Sequence, residues 1–301
     1  MTVARRRAMF EHGASALAEA LPSAPSPLYA CPLCLVGFAA QETRPGGLLT
    51  SEHVPPRSLG GRVLCLTCRA CNNTAGTSLD SHIERMESQV DFLAGRPTGP
   101  IPATFTFDGA QQRGEVQRAP DGGVLLFGVP GRNHPAAPGR MTDKLNAVSR
   151  SGATDWSVHV QFDRGWSTRR VNVGWLRHGY LAAFATFGYR YVFRGALTPI
   201  RDQIASPDDD IVPLSVMLDA SADKASRSIL LVESPDDLRG VAVQLGQAVT
   251  LLPPVDDDET FYERMAAYRD SDAGGRRIEV HGQQVPWVDH PRYLLDLPPN
   301  D

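Results

Sequence analysis

"TSEHVPPRSLGGRVLCLTCRACNNTAG", residues 50–76, places a Glu-His pair, two prolines, two adjacent glycines and three cysteines directly ahead of Asn-Asn. Twenty residues upstream, "ACPLC" (30–34) supplies another Cys-x-x-Cys turn. Such a turn delivers two soft ligands from one tight knuckle, and two knuckles close the tetrahedral sphere of a structural zinc. The downstream group offers both Cys65-x-x-Cys68 and Cys68-x-x-Cys71. "RVLCL" (62–66) alternates like a strand, on which Cys65 would be a small buried side chain. The zinc is therefore assigned to Cys31, Cys34, Cys68 and Cys71.

All five cysteines lie between residues 31 and 71, unlike a disulfide framework spread over a secreted chain. A rival use of the spare thiol is redox sensing through Cys65. The longest apolar candidate, 171–193, contains Arg177, His178 and Arg190, so no membrane span is expected. Arg5, Arg6 and Arg7 are followed by Glu11 and His12 without an apolar signal-peptide core, and a cytoplasmic protein is expected. With 42% hydrophobic and 21% charged residues over 301 positions, the chain reads as globular. Its net charge of -4 hides an uneven distribution: +1 over 1–100, +6 over 101–200 and -11 over 201–301. A basic middle suits contact with phosphate, and it equally suits a plain solvated surface.

Residues 3–21 read as a helix and "LPSAPSPLYA" (21–30) as a proline-punctuated linker. A second helix is predicted from Ser78, its N-cap, to a Gly95 stop, with Leu79, Ile83, Met86, Val90 and Leu93 as its apolar stripe. "GRPTGPIP" (95–102) marks a boundary. Beyond it, short strand-like runs such as "ATFTFDG", "SILLVES", "VAVQLG", "AVTLLPP" and "RRIEVHG" alternate with turns, interrupted by helices over about 172–191 and 260–269. In the first of these, Trp175, Tyr180, Phe184, Phe187 and Tyr191 recur at helical spacing and are assigned to the core, although the arginines among them also suit nucleic acid. The acidic runs 208–210 and 256–259 are read as solvated loops. The fold class is α+β, with an N-terminal helix and linker (1–27), a zinc-stapled module (28–96) and a larger β-rich accessory domain (101–301).

"SEHVPPRSLGG" (51–61), lying between "CPLC" (31–34) and "CRACNNTAG" (68–76), resembles an HNH endonuclease with a ββα-metal fold, of the subgroup with four zinc cysteines and an Asp-His or Glu-His pair. The resemblance covers about Cys31 to Met86. It implies that His53 is the general base, that Glu52 and Asn72 hold a catalytic Mg²⁺ or Mn²⁺, and that Gly60 and Gly61 sit in the loop joining two strands. A further helix-borne ligand is sought among Asn73, Asp80 and His82, and Arg57 and Arg69 are candidates for substrate phosphate. The chemistry is consistent: a neutral imidazole activates water, and a hard cation with oxygen ligands stabilises the leaving oxygen. Because neighbours on a strand face opposite ways, Glu52 and His53 can address one phosphate only where the strand bends.

The implied activity is hydrolysis of nucleic-acid phosphodiesters, DNA before RNA, in a setting such as restriction or anti-phage defence. The accessory domain would select or regulate, and would carry any homodimer or partner-protein contact. The alternative is a non-catalytic zinc module that binds nucleic acid or protein.

Overall fold

The computed structural model describes residues 2–25, 27–213, 216–256, 258–271 and 278–294. In chain order its elements are α1 (Val3–Ala20), β1 (Tyr29–Ala30), β2 (Gly37–Phe38), β3 (Leu49–Val54), β4 (Arg62–Cys68), α2 (Arg69–Ala75), α3 (Ser81–Leu93), β5 (Ile101–Phe107), β6 (Ala110–Arg118), β7 (Val124–Gly128), α4 (Ala137–Ser151) and β8 (His159–Phe162). There follow α5 (Thr168–Phe187), α6 (Tyr189–Val192), α7 (Thr198–Ala205), β9 (Val216–Leu218), β10 (Arg227–Ser234), β11 (Gly240–Leu245), β12 (Ala248–Leu252), α8 (Phe261–Ser271) and β13 (His281–Val285). The α+β class holds. No described helix is long and apolar enough to cross a membrane.

The chain groups into two compact units: residues 1–81 with 168–301, and residues 82–167. The boundary expected at 96–101 falls inside the second unit. The first unit is built on α5, which is buried from Val173 through Phe187. A helix apolar all round belongs in an interior, and Trp175, Tyr180, Phe184, Phe187 and Tyr191 are all core residues as the spacing predicts. On one side α5 lies against an antiparallel sheet ordered β13-β10-β11-β12-β9. Gly179 permits the approach, since a Cβ there would stand 2.9 Å from Thr250, and Thr250 donates to the Trp175 carbonyl at 3.2 Å. The alternate residues Val232, Ala242 and Leu251 pack on Phe261 and Met265 of α8. Of the expected strand "RRIEVHG", residues 276 and 277 lie outside the described residues, and pairing begins at His281.

Phenol hydroxyls tie the cysteine region to this core. Tyr180 donates to the Pro32 carbonyl at 2.7 Å and Tyr189 to the Ala30 carbonyl at 2.6 Å. Tyr29 donates to Leu66 of β4 at 2.8 Å. The segment carrying the first knuckle is thus bonded to α5, α6 and β4 at once. The acidic run at 208–210 is not merely solvated, because Arg170 pairs with Asp208 at 2.6 Å and Arg169 with Asp210 at 3.1 Å. These contacts neutralise part of the basic middle.

In the second unit, a sheet ordered β7-β6-β5-β8 is covered by α4, with Met141 buried against Phe105, Phe107 and Ala110. The helix α4 was not expected from sequence; its Pro-Gly start suits a first turn, where the missing proline N–H costs nothing. Two details of the predicted helix at 78–95 are corrected. Helical structure begins at Arg69 and runs through a π-helical turn, Gly76–Asp80, so Ser78 is no N-cap; its hydroxyl bonds back to Thr74. The predicted stripe holds at Leu79 and Ile83, which are buried, and fails at its end, where Val90 and Leu93 are exposed while Phe92 is buried. The larger ring wins the sheet, packing on Ile101, Ala103 and Val116. Gly95 does end the helix, at φ +74°.

Two glycines beside the β3–β4 pair should respond oppositely to a methyl group. A Cβ at Gly61 would lie 1.6 Å from the Pro55 carbonyl oxygen, whereas Gly76 has right-handed φ -55° and open space. In denaturant unfolding, Gly61→Ala is expected to lose about 1–3 kcal/mol or more, and Gly76→Ala to be neutral or to gain up to about 1 kcal/mol.

Candidate metal centre and active site

The sulfurs of Cys31, Cys34, Cys68 and Cys71 all lie within 4.8 Å of one another. Cys34 and Cys68 are 3.8 Å apart, which is about the edge of a tetrahedron with the ~2.3 Å bonds of zinc to sulfur. Knuckle amides point at the sulfurs: Cys68 N–H donates to Cys31 at 3.3 Å and Cys71 N–H to Cys68 at 3.4 Å. The donor set fits zinc. Without a metal, donation by Cys31 brings Cys34 down to about 6 and Cys68 to about 5, while Cys31 itself is pushed upward. Clustered thiols that ionise this readily are prepared for a cation. Among the described residues no other group of three His, Cys, Asp or Glu side chains is placed to hold a metal.

Cys65 stands apart, as its strand position predicts. It is fully buried opposite Glu52, and burial pushes its thiol up, with the Glu52 carboxylate adding to the effect. An un-ionised, enclosed thiol is neither a ligand nor an accessible redox group.

Strands β3 and β4 pair with Leu49 opposite Cys68 and Glu52 opposite Cys65, and the register then shifts between Glu52 and His53. The residue passed over is Leu64 of β4, so the irregularity lies in β4, opposite Glu52 and His53, which remain consecutive on β3. Gly60, in the loop between the strands, is left-handed at φ +78°. His53, paired with Val63, is half-buried. Burial lowers its pKa below the usual 6.5, Arg57 pushes the same way, and Glu52 opposes.

Asn72, on the first turn of α2, reaches back to β3: its Nδ2 donates to Thr50 Oγ1 at 2.9 Å and approaches the Ser51 carbonyl at 3.4 Å. The structure thus brings Asn72 onto the strand that carries Glu52 and His53. Asn73, by contrast, is exposed.

Glu52 is only 3% exposed. Its Oε2 accepts from Thr67 Oγ1 at 2.8 Å and forms an ion pair with Arg177 Nη2 at 2.8 Å. Arg177, itself fully buried, also faces Asp80 at 3.4 Å, and His178 Nε2 meets the same Asp80 oxygen at 3.0 Å. Burial would raise the Asp80 pKa, but His178 and Arg177 more than offset it and hold the carboxyl low. Asp80, a candidate helix-borne ligand, is therefore engaged by α5. His82 lies in the second unit, where its Nδ1 accepts the Ser167 N–H at 2.9 Å. Arg69 donates to the carbonyls of Gly46 and Gly47, both at 2.5 Å, and closes that loop. Arg57 is exposed.

The oxygens that remain outside these contacts, Glu52 Oε1 and Asn72 Oδ1, are of the type a hard divalent ion takes. The Arg177 guanidinium on the same carboxylate weakens that attraction.

Residues 31–88 match the family model described as HNH endonuclease. No curated protein and no solved structure matches the chain. An HNH segment points to nuclease activity on nucleic acid and to nucleic-acid binding. In this chain the HNH segment ends within α3, and its carboxylates Glu52 and Asp80 are met by Arg177 and His178 of α5, far outside it. Sequence reasoning missed Arg177 and His178 as its neighbours. The available signal was an Arg-His pair embedded in "VGWLRHGYLAAFATF" (173–187), since a charge in an apolar helix needs a partner.

Two measurements check this arrangement. Metal analysis of purified protein should find one zinc per chain in the wild type and in Cys65→Ala, and loss of zinc in Cys34→Ala. Arg177→Met, which strands the buried Glu52 carboxylate and leaves Asp80 with His178 alone, should lose about 3–5 kcal/mol in urea unfolding. Adding Glu52→Gln to it should recover part of that loss.

Proposed function

We propose that this protein is a metal-dependent endonuclease that hydrolyses nucleic-acid phosphodiesters, DNA in preference to RNA, with His53 as the general base. The observation that carries this reading is the placement of His53: a half-buried imidazole on β3, opposite the irregularity at Leu64 of β4, with Asn72 bonded onto the same strand. Because burial keeps its pKa below 6.5, the ring is neutral at physiological pH and ready to take a proton from water. Arg57, exposed four residues on, supplies positive charge for the phosphate. A bound Mg²⁺ or Mn²⁺, held by Glu52 and Asn72 oxygens, would supply charge for the leaving oxygen. Arg177 is a positioning residue, fixing the Glu52 carboxylate from below. A role in restriction or anti-phage defence, with the remainder of the chain choosing the target, follows from the pairing of an HNH segment with a large added body.

One contact favours a second reading, in which the segment binds nucleic acid or protein without cutting: Glu52 is already paired with Arg177. A plasmid assay with Mg²⁺ or Mn²⁺ separates the two. Nicking that falls by about 100-fold or more in His53→Ala, with zinc content unchanged, is the expected result. Equal cutting by the variant would reject His53 as the base, and intact DNA and RNA under both ions would favour the binding module.

A further inference from the structure

The second unit carries a cleft of its own, about 710 Å³, between the β5–β6 turn and α4. Arg113 of β6, Arg132 and Asn133 ahead of α4, Arg140 and Lys144 on α4, and Asp108 of the turn all line it. Arg113, Arg132 and Arg140 are exposed, and among the described residues their side chains make no hydrogen bond or ion pair. That sets them apart from much of the chain's arginine. Arg169, Arg170, Arg239 and Arg264 are on aspartates, and Arg6, Arg69, Arg118 and Arg201 are on carbonyls.

The convergence is built, not incidental. Asn133 Oδ1 accepts the Arg113 N–H at 2.7 Å, and its Nδ2 donates to the Arg113 and Val129 carbonyls at 2.7 and 2.8 Å. This latch fixes the turn bearing Arg132 against the strand bearing Arg113. Arg140 and Lys144 are one helical turn apart and so share a face, and buried Met141 fixes that face. Lys144 is held at the rim by Asp108 at 2.6 Å. Four cations thus meet two acids, Asp108 and Asp143.

Unpaired guanidiniums repel one another and draw counterions, which a phosphate chain displaces with a gain in entropy. Each guanidinium fork also matches a phosphate's oxygens. The lining stays exposed, which suits a strand crossing the surface better than an enclosed metabolite. We infer that this cleft binds the phosphate backbone of a nucleic acid, as a contact separate from residues 31–88. The choice of a polynucleotide over another polyanion rests on the nuclease reading.

The test uses the full-length, zinc-loaded chain carrying His53→Ala, with no added divalent ion, and fluorescence anisotropy of labelled duplex and single-stranded oligonucleotides over a salt series. Adding Arg113→Ala, Arg132→Ala and Arg140→Ala together should lower the slope of log affinity against log salt by about 2–3, at ~0.7–0.9 per phosphate contact. A control triple at the exposed positions Arg5, Arg269 and Arg292 should leave the slope unchanged. If the first triple fails to fold, Arg132→Glu alone should weaken binding at least about tenfold at low salt.

A wild-type slope in the cleft variants, or an equal drop in the control, overturns the inference. So does saturable binding of inorganic phosphate that the triple removes while oligonucleotide binding stays intact, which would mark a small-anion pocket. Cleavage is scored separately on the His53 chain. Loss of binding in the triple with no cutting by the wild type sinks only the nuclease reading, whereas cutting with an unchanged slope sinks only the cleft.

Discussion

A guanidinium with no access to water lies at the join between the HNH segment and the rest of its unit. Arg177 is tolerable there because Glu52 and Asp80 both face it; without it the buried Glu52 carboxylate would lack a counter-charge, while Asp80 would keep only His178. Taking three charges out of water is costly, and the mutual attraction roughly offsets that cost. What the cluster does supply is selectivity. Only one seating of β3 and of the turn before α3 on α5 places both acids beside the one cation; any slip leaves a buried charge bare. Hydrophobic packing alone, being non-directional, does not discriminate so sharply.

The sulfur cluster and the buried phenols complete the attachment from the other side. The first knuckle stands on strands of two residues each, too short to persist by pairing alone. Tyr180, Tyr189 and Tyr29 bond to its backbone and to β4, and the four cysteines draw it onto the start of α2. Cys68 has two jobs: it belongs to the sulfur cluster, and as N-cap of α2 it accepts the Cys71 N–H. The helix that carries Asn72 therefore begins at the metal centre. Position and chemistry are coupled through a single side chain.

The metal knuckles, the two strands and the α+β class were legible because they rest on local rules: Cys-x-x-Cys spacing, strand alternation that set Cys65 aside, and an aromatic stripe at helical period. The Glu-His pair was legible as a motif on a strand; the irregularity beside it falls in the partner strand, at Leu64 of β4, and not between its two members. The partners of Glu52 were not, because Arg177 lies over a hundred positions away and nothing short-range joins the two. The helix at 78–95 was found with Leu79 and Ile83 on its buried face, but the last turns of that face were misjudged. Local periodicity favoured Val90 and Leu93, whereas the sheet formed by later strands selects Phe92. The helix α4 went unseen because its sequence is polar and opens on Pro-Gly, punctuation that usually signals a loop.

The π-helical turn at Gly76–Asp80 has a bearing beyond its five residues. Such a turn accommodates one residue more than an α-helix would, and each residue advances a helix by about 100°. The surplus residue works like an extra tooth in a gear train. It sets the angular phase at which Asp80 comes round to α5, while Asn72, one gear earlier, keeps its own engagement with β3. Two faces of one continuous helix are thereby timed independently, which a regular α-helix of the same composition would not allow.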